Sequence, residues 1–323
     1  LEGLKQIGLA EGRVFDRSLL EKVEQELRRQ YFSRGKYAVK IDTTVTPLDR
    51  NRVGIVIDIS EGRVARIKQI NIIGNHTFTD KQLLKEFSLT TPNIFSTFTK
   101  SDQYSKQGLS ADLEILRTWY LDRGYLKFNI NSTQVSITPD KQDIYITINV
   151  TEGNQYTISE VTLSGDLVVP AEEIFPLIHI NPGDVFSRKK VTAAVDEISS
   201  LLGNQGYAFA NVNTSPELDD ELNEVELGFF VDPGDRVYVR RINISGNVGT
   251  RDEVLRREMR QLEGGWYSAA QVERSRTRLD RLGYFENVNV ETPPVPGTTD
   301  QLDVDYSVTE RSSGSVSAGL GFS

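Results

Sequence analysis

The residue types that most often carry out chemistry are scarce in this sequence. The 323-residue chain has two histidines, His76 and His179, and no cysteine. The histidines lie 103 residues apart, and neither has an Asp, a Glu or a second histidine at the spacing of metal ligands. Without a thiol there is no cysteine nucleophile and no thiolate metal site. We interpret both histidines as structural or solvated, and we predict no metal centre.

One stretch, residues 246–250, places glycines just before a predicted helix, where a phosphate could bind. It reads Gly-Asn-Val-Gly-Thr and lacks the Gly-Lys-Thr ending whose lysine contacts phosphate oxygens. A plain turn followed by a helix N-cap is the simpler interpretation. Asp and Glu are plentiful, but they form no repeated or converging pair. The sequence therefore predicts no catalytic residue, no cofactor and no enzyme activity.

Composition narrows the class of protein. Hydrophobic residues make up 38% and charged residues 26% of the chain, as in ordinary globular domains. No apolar run is long enough to span a bilayer as a helix. The net charge of −9 argues against nucleic-acid binding. The lack of cysteine excludes disulfides and fits either a reducing compartment or a periplasm. No signal peptide is visible and the chain opens within a pattern, so we expect the native N-terminus to lie upstream.

A helix that ends in glycine and leads through an aromatic residue into a strand occurs four times. The glycines are spaced 77–89 residues apart: Gly35, Gly124, Gly206 and Gly283. Glycine tolerates the left-handed conformation that follows a helix, so we predict a structural role for all four. A turn that recurs at this spacing indicates four repeats of about 80 residues each.

Each full repeat is predicted to read strand, helix, helix, strand, strand. The opening strands end in Gly-Asn or Gly-Asp, and the last strands alternate apolar and polar residues. In the second repeat we expect the helix stripe of Leu113, Leu116 and Tyr120 to pack against Ile146 and Ile148. A proline is expected to mark the turn between the last two strands of each repeat: Pro47, Pro139, Pro216 and Pro293.

Two segments are candidate binding elements. Residues 125–137 form the longest predicted middle strand. Residues 250–264 form the predicted first helix of the final repeat, dense in charge and with an apolar stripe of Val254, Leu255, Met259 and Leu262. Residues 235–311 contain 12 Arg and no Lys. Arginine makes planar, bidentate contacts and tolerates partial desolvation better than lysine, as interfaces require.

A β-α-α-β-β unit of this size resembles the POTRA (polypeptide-transport-associated) domain. The resemblance rests on Gly-Asn after the first strand, Gly-Tyr after the second helix and Glu-Gly at the exit, and it is most specific in residues 46–53, 120–125 and 254–264. It covers essentially the whole chain. It implies an α+β fold of tandem repeats, each a three-stranded mixed sheet packed on two helices.

The resemblance also implies domain boundaries. A first repeat that lacks its opening strand and most of its first helix is expected to resemble the second POTRA domain of the family. Three full repeats are expected to resemble the third, fourth and fifth, and the chain is expected to end at the start of the first strand of a membrane barrel. The predicted ranges are 1–62, 63–153, 154–234, 235–311 and 312–323.

The function implied by the resemblance is that of a periplasmic scaffold. It would be anchored to the bacterial outer membrane through a C-terminal barrel outside this chain. It would bind unfolded outer-membrane proteins and dock the lipoproteins BamB and BamD and other subunits of the β-barrel assembly machine, with periplasmic chaperones as further partners and no role for nucleic acid. The expected binding element is the exposed edge of each sheet. The last strand is expected to pair between the first and middle strands, which leaves the middle strand open to an incoming strand.

Site residues are implied in the same way. Arg256 and Glu263 of the final repeat are the expected contacts of the BamD-type lipoprotein. The expected contacts of the BamB-type lipoprotein or of a client strand follow the middle strand of the second repeat: Lys127, Phe128, Ile130, Asn131 and Ile137. Plainer interpretations stay open. The charges could form a solvated helix face with i,i+4 pairs, and lysine, proline and short strands could simply protect the edges.

Two other functions fit part of the sequence. A structural spacer or adhesion array suits the acidic surface and the short linkers equally well, and would continue into a wall-binding or helical segment. The POTRA arm of a two-partner secretion transporter would keep a barrel but is expected to carry fewer repeats than the four countable here.

Overall fold

The computed structural model describes residues 15–50, 52–92 and 101–311. The chain divides into two compact parts, residues 1–155 and 156–323, each with a hydrophobic core of its own. Two predictions lie outside the described residues, namely the missing opening of the first repeat and the barrel strand at 312–323. Within the described ranges, no helix combines the length and the apolar character needed to cross a membrane.

The first part holds the first and second repeats. The described elements of the first repeat are α1 (Arg17–Ser33), β1 (Lys40–Leu48) and β2 (Arg52–Ser60). The second repeat contains β3 (Arg66–Ile73), α2 (Asp80–Leu83) with a 3-10 turn (Leu84–Glu86), α3 (Lys106–Leu121), β4 (Asn129–Ile137) and β5 (Asp143–Thr151).

The second part holds the third and final repeats. The third contains β6 (Thr157–Gly165), α4 (Ala171–Ile174) with a 3-10 turn (Phe175–Leu177), α5 (Arg188–Asn204), β7 (Asn211–Asp219) and β8 (Glu224–Asp232). The final repeat contains β9 (Tyr238–Ser245), α6 (Asp252–Arg256), α7 (Ala269–Arg281), β10 (Phe285–Glu291) and β11 (Gln301–Glu310).

The three full repeats share one sheet topology. The strand orders are β3-β5-β4, β6-β8-β7 and β10-β11-β9, so the last strand of each repeat lies in the centre. It pairs parallel with the opening strand and antiparallel with the middle strand. The predicted order is therefore confirmed, and the middle strand of each full repeat forms one edge of its sheet.

The core of the second repeat follows the predicted stripe. Leu116 and Tyr120 of α3 and Ile146 and Ile148 of β5 are buried in one cluster, and Leu113 packs against it partly buried. The apolar faces of the long helix and of the central strand thus meet as the two periodicities predict.

The helix-ending glycines adopt the predicted left-handed conformation. Gly35, Gly124, Gly206 and Gly283 have φ angles of 75°, 87°, 102° and 72°. At Gly124 the chain turns so sharply that the Tyr125 N–H donates to the Tyr120 carbonyl at 3.1 Å. This bond closes the helix and sends the chain into the next strand.

Neighbouring repeats inside each part are joined by backbone and side-chain contacts. The carbonyl of Gly35 accepts from Ala65 N–H at 2.9 Å, and the carbonyl of Gly206 accepts from Val237 N–H at 2.9 Å. In the second part, the Asn204 amide oxygen also accepts from the backbone N–H of Ala270 at 2.7 Å. The glycine that ends a helix therefore also receives the start of the following repeat.

The predicted helix over residues 250–264 is wrong in its length. Helix α6 spans only Asp252–Arg256, with Arg251 as its N-cap, and the chain leaves the helix after Arg257. The later residues instead run beside β9, where Gly264 N–H donates to the Val239 carbonyl at 2.7 Å. Leu262 is consequently 71% exposed and does not belong to an apolar helix stripe.

Two predictions about the hairpins are also wrong. The middle strand of the second repeat begins at Asn129, not at residue 125, and its nine residues equal those of β1 and β7. Pro47 and Pro216 lie inside β1 and β7, not in turns. Both strands lie at an edge of their sheets, where a missing N–H disrupts no internal ladder.

Candidate interaction surfaces

The edge strand β4 carries a β-bulge at Asn131. Its pairing with β5 runs from Ile130–Val150 directly to Ser132–Asn149, so Asn131 is the extra residue. The Asn131 amide nitrogen donates to Thr151 Oγ1 at 2.8 Å, and its oxygen accepts from the Asn129 amide at 2.8 Å. The bulge is thus fixed by side chains and twists the start of the strand.

The far half of β4 exposes apolar side chains. Val135 is 40% and Ile137 is 41% exposed, whereas Ile130 packs partly buried against the core. Of the five predicted contacts on this element, Asn131 and Ile137 lie on the strand with exposed side chains. They offer one polar and one apolar side chain along the same edge.

Phe128 and Lys127 do not lie on this edge. Phe128 is 7% exposed and stacks on Tyr120 at a ring separation of 4.0 Å, so its side chain packs in the core and does not face the edge. Lys127 is exposed in the turn before the strand, against Gly153 at the exit of the repeat. The Phe128 ring thus belongs to the hydrophobic core of the second repeat.

The middle strands differ in how well they are protected. Strands β1 and β7 contain Pro47 and Pro216, and β10 has only seven residues. Among the middle strands that the structure describes, β4 is the one with nine residues and no proline. An uninterrupted edge with exposed apolar residues is the arrangement that accepts a further strand.

The opposite edge of each full sheet is covered where it begins. Ile67 N–H donates to Asp102 C=O at 2.8 Å, and Ile158 N–H donates to Asp184 C=O at 2.8 Å. In the final repeat Val239 N–H donates to Gly265 C=O at 2.9 Å. In each case the loop before the second helix pairs with the opening strand, so these edges are open over only part of their length.

Arg256 and Glu263, the two predicted contacts in the final repeat, converge on a single residue of β9. A Glu263 carboxylate oxygen accepts from Ile242 N–H at 2.7 Å, and Arg256 Nη1 donates to Ile242 C=O at 3.4 Å. Arg256 also binds the Asp252 carboxylate at 2.5 Å. Both side chains therefore occupy backbone groups that an edge strand would otherwise leave open.

The loop that carries Glu263 is held from inside by Gln261. This side chain is buried, donates to the carbonyls of Leu262 and Trp266 at 3.2 and 2.9 Å, and accepts from Ser268 N–H at 2.9 Å. A single amide thus satisfies backbone groups at three points of the loop. Gln261 is not predicted as a functional residue, because no periodic pattern in the sequence singles it out.

An exposed aromatic stack borders the same loop. The rings of Trp266 and Tyr238 lie 3.8 Å apart, and the Arg236 guanidinium lies 4.1 Å from the Trp266 centroid. Trp266 and Tyr238 remain 40% and 37% exposed. The sequence does not predict this stack either, because Tyr238 and Trp266 are 28 residues apart and meet only through pairing of the loop with β9.

The acidic residue at the exit of a repeat also has a defined role. Glu152 accepts hydrogen bonds from Tyr120 Oη at 2.7 Å and from the backbone N–H groups of His76 and Thr77, both at 3.0 Å. Burial raises the pKa of the Glu152 carboxyl, but these hydrogen bonds outweigh it and the net shift of the pKa is downward. Burial, together with the bond to Glu152, raises the pKa of Tyr120 far above its usual value.

In the final repeat Glu310 has the equivalent position. Its carboxylate accepts from Gly249 N–H at 2.8 Å and from Thr250 N–H at 2.7 Å, and these bonds lower its pKa. The N–H groups of Gly249 and Thr250, which could have bound a phosphate, are therefore used within the fold. The turn interpretation holds, although the helix N-cap is Arg251 and not Thr250.

The two histidines belong to different compact parts of the chain. His76 is in the turn after β3, and His179 Nε2 lies 3.5 Å from the Glu197 carboxylate on an exposed surface. Within the described ranges no group of three or more His, Cys, Asp or Glu residues is placed to hold a metal ion.

Comparison with known proteins identifies relatives over the whole chain. The POTRA family model, described as a surface antigen variable number repeat, matches residues 3–62, 65–153, 156–234 and 237–311. The outer membrane protein assembly factor BamA of Neisseria meningitidis is 36% identical over 99% of this chain and 40% of its own length. BamA of Buchnera aphidicola is 31% identical over 99% of this chain and 52% of its own length.

A solved structure agrees with these relatives. The crystal structure of POTRA3-5 of BamA from Haemophilus influenzae matches with a TM-score of 0.68 and 32% identity, over 76% of this chain and 96% of that one. The chain spans between two fifths and about half of the length of the two BamA relatives.

Proposed function

This chain belongs to the POTRA family, as a run of repeats similar to those of BamA, and from that premise we propose that it is a periplasmic arm for the assembly of outer-membrane proteins. Its repeats bind unfolded outer-membrane proteins and dock accessory lipoproteins of the BamB and BamD kinds. The arm is anchored to the outer membrane by a barrel beyond residue 311. The first to final repeats correspond to the second to fifth POTRA domains.

The observation that carries the proposal is the open edge of β4. Nine residues without proline offer backbone groups to an incoming strand, and Val135 and Ile137 add exposed apolar side chains. Pairing through the backbone is largely indifferent to the sequence of the added strand. A receiver of many different barrel strands needs this kind of tolerance.

The edge of β4 is also the proposed binding site of the BamB-type lipoprotein. Because this lipoprotein and a client strand would use the same edge, they compete for it or bind to it one after the other. The final repeat, with Arg256 and Glu263, is the proposed site of the BamD-type lipoprotein. Along the chain, the third repeat therefore lies between the repeat that binds client strands and the repeat that docks the BamD-type lipoprotein.

A charge placed on the edge tests the proposal. Ile137 faces Ile144 in register, and Leu218 faces Val225 at the matching position of the third repeat, so Ile137→Lys and Leu218→Lys form a matched pair. Both side chains are more than 40% exposed, so both variants should fold. We expect Ile137→Lys to weaken binding of a BamB-type lipoprotein and of an unfolded barrel protein about tenfold, because an edge lysine disfavours strand addition.

Binding is measured by titration of the full chain with each purified partner, and folding by circular dichroism. Asn131→Pro is the second variant, since the bulge residue stands outside the register pairs with β5. Equal affinities for Ile137→Lys, Asn131→Pro and Leu218→Lys would remove β4 as the acceptor. Absence of binding by the wild-type chain would leave the spacer function as the better interpretation.

A further inference from the structure

The loop at residues 260–268 differs from its counterpart in the third repeat at one decisive position. In both repeats a glycine N–H of this loop donates to the opening strand at 2.7 Å, Gly264 in the final repeat and Gly183 in the third. This match aligns Glu263 with Pro182. A proline side chain cannot accept a hydrogen bond. The hydrogen bond that the Glu263 side chain accepts from β9 therefore has no side-chain counterpart at this position of the third repeat.

The hydrogen bond between Glu263 and Ile242 leaves the side chain of the neighbouring Leu262 in solvent. It is 71% exposed, while Gln261 before it is buried and Glu263 after it is bonded to Ile242. Single exposed leucines are common on protein surfaces. A leucine on a backbone tied down at both neighbours is different, because binding it requires little further loss of conformational freedom.

The surroundings of Leu262 have the composition of an interface centre. Trp266 of the same loop stacks on Tyr238 of β9, with Arg236 over the indole ring. Trp, Tyr and Arg are the residue types that most often dominate binding energy at protein interfaces. The loop and the strand present them together.

The charge of the region indicates the character of the partner. Residues 236–263 contain seven Arg, no Lys and four Asp or Glu, and with Asp303, which pairs with Arg240, the net charge is +2 in a chain whose net charge is −9. Complementary charge at the rim of an interface favours the correct partner and speeds encounter. A partner that fits this surface carries carboxylates around an apolar centre.

We infer that Leu262 is the apolar contact of the docking surface of the final repeat, and that Glu263 and Arg256 are positioning residues that hold it through Ile242. The occupant is a folded protein that offers an apolar pocket rimmed by carboxylates. This inference rests on the proposed docking of the BamD-type lipoprotein to the final repeat. On this inference Arg256 and Glu263 hold the loop in place within the repeat, and Leu262 makes the contact with the partner.

The test compares substitutions that separate charge from hydrogen bonding. Glu263→Gln keeps an oxygen that accepts from Ile242 N–H, whereas Glu263→Lys removes it. Each variant of the full chain is titrated with the purified BamD-type lipoprotein without its lipid anchor. We expect Leu262→Ser and Glu263→Lys to raise the Kd about tenfold or more, as for a central contact, and Glu263→Gln to stay within about twofold of the wild type. Leu222→Ser, at a 67% exposed leucine of the third repeat, is the control.

Amide hydrogen exchange at Ile242 supplies a second readout. It should remain slow in Glu263→Gln and become fast in Glu263→Lys. If Glu263→Gln binds as weakly as Glu263→Lys, the carboxylate charge itself contacts the partner and the positioning role is wrong. If Leu262→Ser binds like the wild type, the apolar contact is wrong while the proposed function stands. If the wild-type chain does not bind, the docking function fails and this inference fails with it.

Discussion

At the scale of single residues, the exit glutamate links the two ends of a repeat. Glu152 follows the last strand, yet it binds the turn after the opening strand and the tyrosine near the end of the long helix. The first repeat has a matching pair, in which Tyr31 Oη donates to Glu61 at 3.2 Å. The carboxylate therefore holds together elements that are distant in sequence.

The lowered pKa of Glu152 makes the stability of the second repeat depend on pH. A carboxyl whose pKa is lower in the folded chain stabilises the fold above its unfolded pKa, and this stabilisation is lost as the pH falls through the folded pKa. We expect Glu152→Gln to lower the free energy of unfolding by about 1–3 kcal/mol at neutral pH, as for a lost buried acceptor. The difference from wild type should shrink in acid. Urea unfolding at neutral and acidic pH measures it.

The control for this experiment is Glu114→Gln. Glu114 is an exposed helix residue paired with Arg117 at 3.6 Å, and such pairs contribute little. A difference between Glu152→Gln and wild type that stays constant with pH would contradict the ionised role of Glu152.

At the scale of the element, the glycine that ends each long helix sets the direction of the following strand. At Gly283 an added Cβ would meet no atom within 4 Å, so a substitution there measures backbone conformation alone. With φ at 72°, we expect Gly283→Val to destabilise the final repeat by about 1–2 kcal/mol. Gly283→Asn should recover most of this loss, because Asn tolerates the left-handed region.

Thermal unfolding followed by circular dichroism measures both variants. Gly124→Val in the second repeat is expected to be at least as destabilising, since that glycine is buried. Equal melting temperatures for Gly283→Val and Gly283→Asn would show that the turn does not need a left-handed residue.

Strand edges show a second regularity at this scale. Each opening strand contains a one-residue bulge at its third position, at Lys68, Ser159 and Arg240. The backbone pairing of the strand with the loop that precedes the second helix lies before the bulge in all three repeats. Bulges twist an edge and discourage pairing with other chains. The protection of the opening strands leaves the middle strands as the natural place for strand addition.

At the scale of the whole molecule, repetition made the fold predictable. Four glycine–aromatic turns and the period-2 last strands were enough to predict the elements and their order. The prediction of a helix over 250–264 fails because the local pattern suits a helix, while Gly264 N–H binds the chain to β9 and Gln261 holds the backbone of the loop. The same tertiary pairing explains why the contacts of Arg256 and Glu263 with Ile242 could not be predicted. Hydrogen bonds to a distant strand leave no periodic signal.

The third and final repeats should unfold together. Asn204 at the end of α5 accepts from the first turn of α7, and an alanine in place of Gly203 would come within 3.1 Å of Ala269. We expect Asn204→Ala to cost about 1 kcal/mol, as for the loss of a helix cap, and to speed hydrogen exchange in both repeats. Asn211→Ala, on an exposed strand position, is the control. Faster exchange confined to the third repeat would show that the two repeats unfold independently.

The joint between the two repeats inside each compact part has a consequence for how such arrays evolve. It is a hydrogen bond between main-chain groups, Gly35 C=O with Ala65 N–H and Gly206 C=O with Val237 N–H. A duplicated repeat would bring both halves of this joint with it, the donor at its start and the acceptor at its glycine. Because no side chain takes part, only a proline at the donor position would remove the bond. Genes can therefore gain or lose whole repeats while the repeats diverge freely in sequence, and each new neighbour finds its attachment point already present.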